Sequence, residues 1–355
     1  MSPDHQHANG EIDIASLHAQ DSTGLLARID RAVVWDIPLT TPFRGITRRD
    51  GVLLHGPGGW GEVAPFWDYG LEASAPWLAS GLCQALGNSL LPRYRETISV
   101  NVTVPEISAQ DASDLVRASG ARTAKVKVSG RSDKRAADLE RLEAVRSALG
   151  RSGKVRIDVN GAWDLDTARE NLPLMDRAAG GLEYAEQPCA TVYDLADLRR
   201  AVDVPIAADE SIRLSANPLE IVHRRAADVA ILKVAPLGGV HRALDMAERL
   251  GLPAVVSSAL DTSVGIMAGA TLAFSLPSLS HACGLGTTRL LTQDVADPSV
   301  RPSNGTLRLD AAAPVSERLL NEVKAGPYLT THWQTRLLHL AGALHARRQR
   351  EARDP

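Results

Sequence analysis

The chain has 355 residues, of which 44% are hydrophobic and 23% are charged, and its formal net charge is −3. This composition is typical of a globular protein long enough for two domains, and the small negative charge gives no general attraction to nucleic acid or anionic membranes. Three widely spaced cysteines indicate a reducing compartment and argue against a disulfide framework or a thiolate metal site.

Residues 1–24 lack the apolar segment of a signal peptide and predict a flexible, dispensable extension. No apolar run in the sequence approaches the length of a membrane span. We therefore expect a cytoplasmic protein without nucleic-acid or membrane partners. The sequence leaves the oligomeric state, monomer or homo-oligomer, undecided.

Residues 25–95 predict an α+β capping domain. Their apolar patterns indicate three strands and a helix, at 26–37, 51–55, 60–64 and 69–90. The Gly-Pro-Gly-Gly run at 56–59 indicates a turn between the second and third strands. Segment 38–47, with Phe43 and Arg44 at its centre, is polar and contains proline. It predicts either a mobile lid or an ordinary hairpin loop.

From residue 96 to residue 299, apolar strands alternate with helical segments. The predicted strands are 97–104, 122–128, 154–159, 182–185, 204–208, 228–233, 253–257 and 280–284. The predicted helices include 133–149, 164–178, 215–226 and 239–250. This alternation implies a parallel sheet of the α/β class, and its length favours a closed barrel. A doubly wound open sheet is the alternative, although no glycine-rich phosphate loop follows a strand.

Two segments follow the predicted barrel. Within 300–330, residues 306–310 predict a short strand that returns to the capping domain. Residues 331–355 predict a helical tail that ends in a basic run. Such a run is more typical of a solvated, partly frayed helix than of a nucleic-acid arm.

Lys125 and Lys127 lie two residues apart in an apolar, β-branched run. In a strand, successive side chains alternate between faces, so the two ammonium groups share a face. Mutual repulsion and partial burial are expected to lower the pKa of one lysine, which would make it a general base. Taken alone, the same pattern is typical of a solvent-facing edge strand.

Four consecutive predicted strands end in a charged residue, each about one strand–helix unit from the next: Asp158, Glu186, Asp209 and Lys233. The carboxyl ends of barrel strands carry the active site, so these side chains are expected to meet at one mouth. Three converging carboxylates need a cation, and all-oxygen ligands suit Mg²⁺. Singly, each acid is more typical of a helix cap. Asn160 and Glu210 are candidates to orient the ligands.

As a set, five motifs resemble the muconate-lactonizing subgroup of the enolase superfamily. They are Lys125-Val126-Lys127, Asp158-Val159-Asn160, Glu186-Gln187-Pro188, Asp209-Glu210-Ser211 and Lys233. The resemblance covers residues 25–310 and implies an α+β capping domain over a modified, TIM-like (β/α)7β barrel. It also implies Mg²⁺, with Mn²⁺ as a substitute, bound by the three acids.

The resemblance implies a role for each lysine. Lys127 would remove the proton next to a substrate carboxylate and then protonate a departing hydroxyl on the same face. Lys125 would keep the pKa of Lys127 low and help to hold the carboxylate. Lys233 would stabilise the enediolate from the opposite side of the ring.

Within the subgroup, segments 58–62, 208–211 and 257–262 resemble those of enzymes that make an aromatic succinyl acid for menaquinone synthesis. The implied reaction dehydrates 2-succinyl-6-hydroxy-2,4-cyclohexadiene-1-carboxylate to 2-succinylbenzoate. The seventh predicted strand lacks the histidine base that acid-sugar dehydratases of the superfamily carry. The nearby His281 is more typical of a packed barrel residue.

The second carboxylate of this small-molecule substrate needs a partner. Candidates are Ser257, Ser258, Arg44 and the backbone near Gly284, and each is equally compatible with a structural role. Two other functions remain open. The lysines could act as opposed bases in a racemase or epimerase of N-succinylamino acids or dipeptides. The barrel could also be a non-catalytic scaffold, which the clustered charges disfavour.

Overall fold

The structure is a computed structural model that describes residues 10–308 and 314–353. The chain opens with α1 (Ile14–Gln20), β1 (Arg31–Phe43), β2 (Ile46–Gly56), β3 (Gly59–Val63) and α2 (Leu71–Ala85). The three strands form an antiparallel sheet in the order β1-β2-β3. None of the helices in the described ranges is both long and apolar enough to span a membrane.

Segment 38–47 is a hairpin arm. The regular pairing of β1 with β2 ends at Pro38 opposite Arg48 and resumes only where Phe43 pairs with Ile46. Arg44 and Gly45 form the tip, with φ angles of 51° and 75°. Two consecutive positive φ angles close the tight turn that matches the twist of a hairpin. Both strands therefore extend into the segment for which the sequence predicted either a mobile lid or an ordinary hairpin loop.

The prediction of a flexible extension is wrong for residues 10–24, whereas residues 1–9 lie outside the described ranges. The Asp13 carboxylate caps α1 by accepting a hydrogen bond from the backbone of Ala15 at 3.0 Å. Leu17 is fully buried in the capping-domain core. Burial of one leucine contributes about 2 kcal/mol, so this helix is part of the domain.

The barrel follows, with strands and helices in alternation. Its elements are β4 (Thr97–Ser99), β5 (Val102–Val104), α3 (Ala109–Ser119), β6 (Thr123–Lys127), a 3-10 turn (Ser132–Lys134), α4 (Arg135–Leu149), β7 (Lys154–Asp158), α5 (Leu165–Ala178), β8 (Leu182–Glu186), α6 (Val192–Ala201), β9 (Ile206–Ala208), α7 (Glu210–Arg213), α8 (Glu220–His223), β10 (Val229–Lys233), α9 (Val234–Leu237), α10 (Val240–Leu250), β11 (Ala254–Ser257), α11 (Ser263–Ser275) and a second 3-10 turn (Thr287–Leu290).

Seven parallel strands form the barrel wall in the order β11-β10-β9-β8-β7-β6-β5. Single bridges from Cys283 to Val100 and from Gly284 to Ser257 connect the two ends of this sheet. The helices pack on the outside around a core of valine, isoleucine, leucine and alanine. The predicted α/β class and barrel-with-cap architecture are confirmed.

Three predicted barrel elements differ from the structure. Strand 97–104 is divided into β4 and β5, because the chain changes hydrogen-bonding partners at Val100 and Asn101. Helix 215–226 is reduced to α8, which begins just after the proline at 218 and ends before Arg225, whose φ of 53° is not helical. The expected strand 280–284 makes single bridges on either side instead of a regular ladder.

After the barrel come β12 (Thr306–Arg308), α12 (Glu317–Glu322) and α13 (Pro327–Arg353). β12 pairs with β4 and buries Leu307 in the barrel core, so the prediction that 306–310 returns to the capping domain is wrong. Residues 309 and 310 lie outside the described ranges. The chain reaches the capping domain further on, where Lys324 bridges Trp35 of β1.

The predicted helical tail is α13, but it is not a solvated tail over its first half. Trp333, Leu337 and Leu340 are fully buried in the capping-domain core. These side chains recur at helical spacing and therefore form one stripe, which packs beside α2. Near the exposed end of α13, Glu351 pairs with Arg242 of α10 at 2.5 Å.

Candidate active site

The three lysines lie on either side of three acid-bearing strands. Lys125 and Lys127 belong to β6, and Lys233 ends β10. Between them in the sheet are β7, β8 and β9, which carry the acids at their carboxyl ends: Asp158, Glu186 and, one residue after β9, Asp209. The structure thus brings together at one mouth all six residues expected there.

Each acid is buried, with exposed fractions of 2% for Asp158, 1% for Glu186 and 0% for Asp209. Lys125 Nζ donates to Asp158 at 2.8 Å and to Glu186 at 2.9 Å. Lys127 Nζ donates to the same Asp158 oxygen at 2.7 Å. Because both ammonium groups bind one oxygen, they are held close enough to repel each other.

Lys233 and Arg213 neutralise the third acid. Lys233 Nζ donates to Asp209 Oδ2 at 2.5 Å, and Arg213 Nε donates to Oδ1 at 2.9 Å. Arg213 also donates to Glu210 at 2.7 Å. The sequence analysis missed Arg213. The available signal was its position four residues after Asp209, which places both side chains on one side of a helical turn.

The three carboxylates were predicted to converge on one point, and in the structure they do not. Within residues 10–308 and 314–353, no three His, Cys, Asp or Glu side chains are grouped closely enough to hold a metal ion. The acids turn instead toward lysine and arginine, because a buried carboxylate is costly without a nearby cation. The donor types still fit Mg²⁺, since all are buried oxygens on adjacent strands.

The pKa values reflect this crowding of charge. Despite burial, Lys125 and Lys127 hold the pKa of Asp158 far below its usual range, and Arg213 with Lys233 lowers that of Asp209 to about 2. Burial, followed by repulsion from Asp158 and Asp209, raises the pKa of Glu186 to about 7. The three carboxylates therefore act on one another electrostatically, which is the situation that a bound divalent cation relieves.

The pKa values of the two β6 lysines shift in opposite directions, as expected of a base and a charged neighbour. Burial, with help from the Lys125 charge, lowers the pKa of Lys127, although Asp158 opposes the shift. Burial also acts on Lys125, but Asp158 and Glu186 together raise its pKa well above the usual value. The direction for Lys127 is the one expected from the sequence.

Asn160 and Glu210 support the charged residues. The Asn160 side-chain carbonyl accepts a hydrogen bond from Lys127, and its amide donates to Glu210 at 3.1 Å. Asn160 and Gln187, just past the ends of β7 and β8, have φ angles of 54° and 40°. Strained backbone of this kind persists where the surroundings over-determine it, often at functional sites.

The charged residues open into a cavity of about 50 Å³, and the predicted substrate-binding residues Ser257, Ser258, Arg44 and Gly284 all line it. The Ser258 hydroxyl donates to the Gly284 carbonyl at 2.6 Å. A Cβ at position 284 would lie 2.5 Å from Ser257 Oγ, so only glycine fits there. Arg44 is engaged with Asp68 at 3.1 Å, and its contact with a substrate stays a prediction.

His281 is not among the residues that line this cavity. Its Nδ1 lies at hydrogen-bond distance, 3.1 Å, from the Glu183 carboxylate, which also pairs with the buried Arg156 at 2.5 Å. Glu183 lies near the start of β8, at the end opposite Glu186. The interpretation of His281 as a packed barrel residue therefore agrees with its position.

Family comparisons agree with this architecture. The model described as "Enolase N-terminal domain-like" matches residues 34–85, and the model described as "Enolase C-terminal domain-like" matches residues 108–314. The chain is 52% identical over 305 residues to o-succinylbenzoate synthase of Thermobifida fusca (strain YX), a match covering 85% of this chain and 93% of that protein. The chain belongs to the o-succinylbenzoate synthase family of the enolase superfamily. A second family member, from Mycobacterium ulcerans (strain Agy99), is 47% identical over 310 residues, covering 87% of this chain and 93% of its own.

Solved structures share the fold at lower sequence identity. The L-Ala-D/L-Glu epimerase from Bacillus subtilis matches with a TM-score of 0.67 and 25% identity, covering 83% of this chain and 97% of its own. A dipeptide epimerase from Enterococcus faecalis V583, in complex with Mg and L-Leu-L-Tyr, matches with a TM-score of 0.65 and 23% identity. That match covers 79% of this chain and 96% of the epimerase. The predicted membership in the enolase superfamily is confirmed, and the family is one of enzymes.

Proposed function

We propose that this protein is a Mg²⁺-dependent hydro-lyase that converts 2-succinyl-6-hydroxy-2,4-cyclohexadiene-1-carboxylate to 2-succinylbenzoate and water. The observation that carries the proposal is the placement of Lys127 and Lys233 on strands that flank Asp158, Glu186 and Asp209. The relatives with 52% and 47% identity, both named o-succinylbenzoate synthase, support this choice of substrate.

The metal part of the proposal depends on the acids. Asp158, Glu186 and Asp209 would hold Mg²⁺, for which Mn²⁺ is the expected substitute. When bound, the cation would supply Lewis-acid stabilisation of negative charge on the substrate carboxylate. The Mg named with the Enterococcus faecalis epimerase, which has the same fold, is consistent with this assignment.

Lys127 is the proposed base. Its ammonium reaches the cavity, and burial favours the neutral amine that can accept a proton. After accepting the proton next to the carboxylate, Lys127 is an ammonium and can donate that proton to the departing hydroxyl. Lys125 keeps its charge through Asp158 and Glu186, so it can hold the substrate carboxylate.

Lys233 is proposed to act from the other side of the substrate. It comes from β10, across the three acid-bearing strands from β6, and it lines the same cavity. Its positive charge would stabilise the electron-rich intermediate. Ser257 and Arg44 are the proposed contacts of the second carboxylate, and the oligomeric state is left undecided. The reaction would take place in the cytoplasm.

A direct assay tests the proposal. The purified chain is incubated with the cyclohexadiene substrate and Mg²⁺, and the formation of 2-succinylbenzoate is measured with and without a chelator. We expect rapid product formation that stops when the chelator removes the cation. Fast racemisation of N-succinylamino acids without any aromatic product would refute the synthase assignment.

A racemase or epimerase is the second candidate. Lysines on both sides of a bound carbon acid are what proton exchange between two faces requires, and the Bacillus subtilis protein of the same fold is an epimerase. Deuterium exchange into an N-succinylamino acid would detect this activity. We expect it to be slower than the dehydration.

A further inference from the structure

The hydroxyl of Tyr69 connects the hairpin tip to the barrel. Tyr69 lies in the segment between β3 and α2 of the capping domain. Its oxygen accepts a hydrogen bond from Arg44 Nη2 at 3.0 Å and another from Arg213 Nη1 at 2.5 Å. Arg44 is at the tip of the β1–β2 hairpin, and Arg213 ends α7 in the barrel. One phenol oxygen therefore binds two guanidinium groups from different domains.

Both arginines also make charged or ring contacts with residues other than Tyr69. Arg44 pairs with Asp68 at 3.1 Å and lies over the Phe66 ring at 4.2 Å. The Arg213 side chain is only 5% exposed, and its three nitrogens donate to three different side chains: Asp209, Glu210 and Tyr69. Charge-assisted bonds in a fixed fork leave Arg213 little freedom to move. Tyr69 is therefore in contact with the group that orients Asp209.

The connection lies across the mouth of the site. Phe43, Arg44 and Arg213 line the same cavity as the catalytic lysines, and Lys127 Nζ lies 5.5 Å from the centre of the Phe43 ring. The free space in this cavity is about 50 Å³, and the hairpin tip forms part of its wall, so an outward movement of the tip would enlarge it. A hydrogen bond that holds the tip against the barrel opposes that movement.

We propose that Tyr69 is a positioning residue, a latch that holds the hairpin tip closed by binding Arg44 and Arg213 together. It acts through these arginines and does not touch the reacting atoms. Because Arg213 also binds Asp209, closure of the tip and orientation of this acid are linked. The inference extends the proposed function and rests on it for the identity of the substrate only.

Tyr69→Phe separates a latch from simple packing. The variant keeps the aromatic ring, which contacts Phe66 edge-on at 5.8 Å, and removes only the shared oxygen. Tyr193→Phe is the matched control, because the Tyr193 hydroxyl also accepts from an arginine, Arg224, at 3.1 Å. Tyr193 is 55% exposed and does not line the cavity.

Trypsin cleavage after Arg44 measures opening of the hairpin tip without any need for activity. In the full chain we expect Tyr69→Phe to be cleaved there about tenfold faster, the effect of losing a bond to a charged group. Arg213→Lys removes the same contact from the barrel side. It should accelerate cleavage comparably, and the double variant should be no faster than either single variant. Asp68→Asn provides a second opening variant should Tyr69→Phe fold poorly.

Kinetics provide a second readout. Tyr69→Phe should raise KM for the cyclohexadiene substrate about tenfold and lower kcat by a smaller factor, because Arg213 keeps its bonds to Asp209 and Glu210 in this variant. Wild-type cleavage rates in Tyr69→Phe, or equal acceleration in Tyr193→Phe, would overturn the latch. Additive effects of Tyr69→Phe and Arg213→Lys would do so too. Faster cleavage in a chain that makes no 2-succinylbenzoate would support the latch and refute only the proposed function.

Discussion

The barrel mouth and the junction between the two domains both bury carboxylates, but different kinds of group donate hydrogen bonds to them. At the mouth, Asp158 accepts from Lys125 and Lys127, and Asp209 accepts from Lys233 and Arg213. Two basic groups for each of these acids keep the carboxylates ionised, as their lowered pKa values indicate. Negative charge is therefore available at the mouth for chemistry.

At the junction, the hydrogen-bond donors to the Glu62 carboxyl of β3 are uncharged groups. Its carboxylate accepts hydrogen bonds from the backbone of Thr262 at 3.2 Å and Gly265 at 3.1 Å, at the start of α11. Burial, followed by repulsion from Asp261, raises the pKa of Glu62 to about 8. The Arg49 charge opposes this shift in pKa, but its guanidinium donates to backbone carbonyls.

Glu186 at the mouth accepts a hydrogen bond from one cation, Lys125, and burial with repulsion from Asp158 and Asp209 still raises its pKa to about 7. Hydrogen-bonded cations, weighed against burial and repulsion, therefore set the pKa of a buried acid.

The largest expected effect is on catalysis at the mouth. Lys127→Ala should lower kcat by about 10³-fold, because general acid–base groups contribute about 10²–10⁴-fold. Folding should be largely unchanged, as measured by circular dichroism and thermal unfolding. Lys154→Ala, at the exposed start of β7, is the control and should keep wild-type activity. A folded Lys127→Ala protein with full activity would contradict the assignment of the base.

The second effect is on stability at the junction. A carboxyl whose pKa rises from 4.5 to about 8 on folding keeps its proton when the unfolded chain has lost it. The free energy of unfolding should therefore decrease as the pH rises from 4.5 to about 8, by about 3–5 kcal/mol, and then level off. Glu62→Gln should remove most of this decrease, as measured by urea unfolding at several pH values.

Glu143→Gln, an exposed substitution on α4, is the control for the junction and should keep the wild-type pH dependence. A Glu62→Gln protein whose stability still falls as steeply over this range would show that Glu62 is ionised at neutral pH. The difference in pKa between the acids Asp158 and Asp209 at the mouth and Glu62 at the junction would then be refuted.

Added Mg²⁺ should raise the thermal stability through the barrel mouth and not through the junction. A ligand that binds only the folded state at 100 times its Kd stabilises that state by about 2.7 kcal/mol. We expect added Mg²⁺ to raise the Tm of the wild-type protein and of Glu62→Gln equally. Asp209→Asn should lose most of the increase. An undiminished increase in Asp209→Asn would place the cation away from the mouth.

The smallest effect concerns the source of repulsion at the junction. A Cβ at position 265 would lie 2.7 Å from Asp261 Cβ and 3.2 Å from Glu62 Cδ, so this glycine allows the two carboxyls to approach each other. Asp261→Asn removes one negative charge from the pair. The stability decrease with pH should then end at a lower pH than in the wild-type protein. An unchanged pH range in urea unfolding would exclude Asp261 as the source.

The barrel itself was largely predictable because its signals are local. The strands β7, β8 and β10 each end in a charged residue, and each begins and ends within a few residues of its prediction. The chain segment after Leu214 was mispredicted for a local reason as well. The proline at 218 outweighed the apolar spacing.

Elements whose role depends on distant contacts were predicted less well. α1 and α13 are at opposite ends of the chain, yet Leu17 and Leu337 share one buried core. Nothing within either segment identifies its partner, so both were predicted as loosely attached. Tyr69 was missed for the same reason, because its barrel partner Arg213 is 144 positions away in the chain.

By itself, the sequence determined the α/β class, the capping domain, the family and the residues brought to the mouth, because strand periodicity and strand-end motifs are encoded within short segments. The tertiary structure alone decided which cation pairs with which acid, that burial raises the pKa of Glu62, and that Tyr69 joins the hairpin to the barrel. These properties depend on burial and on distances between segments remote in the chain. Electrostatic free energies change steeply with both.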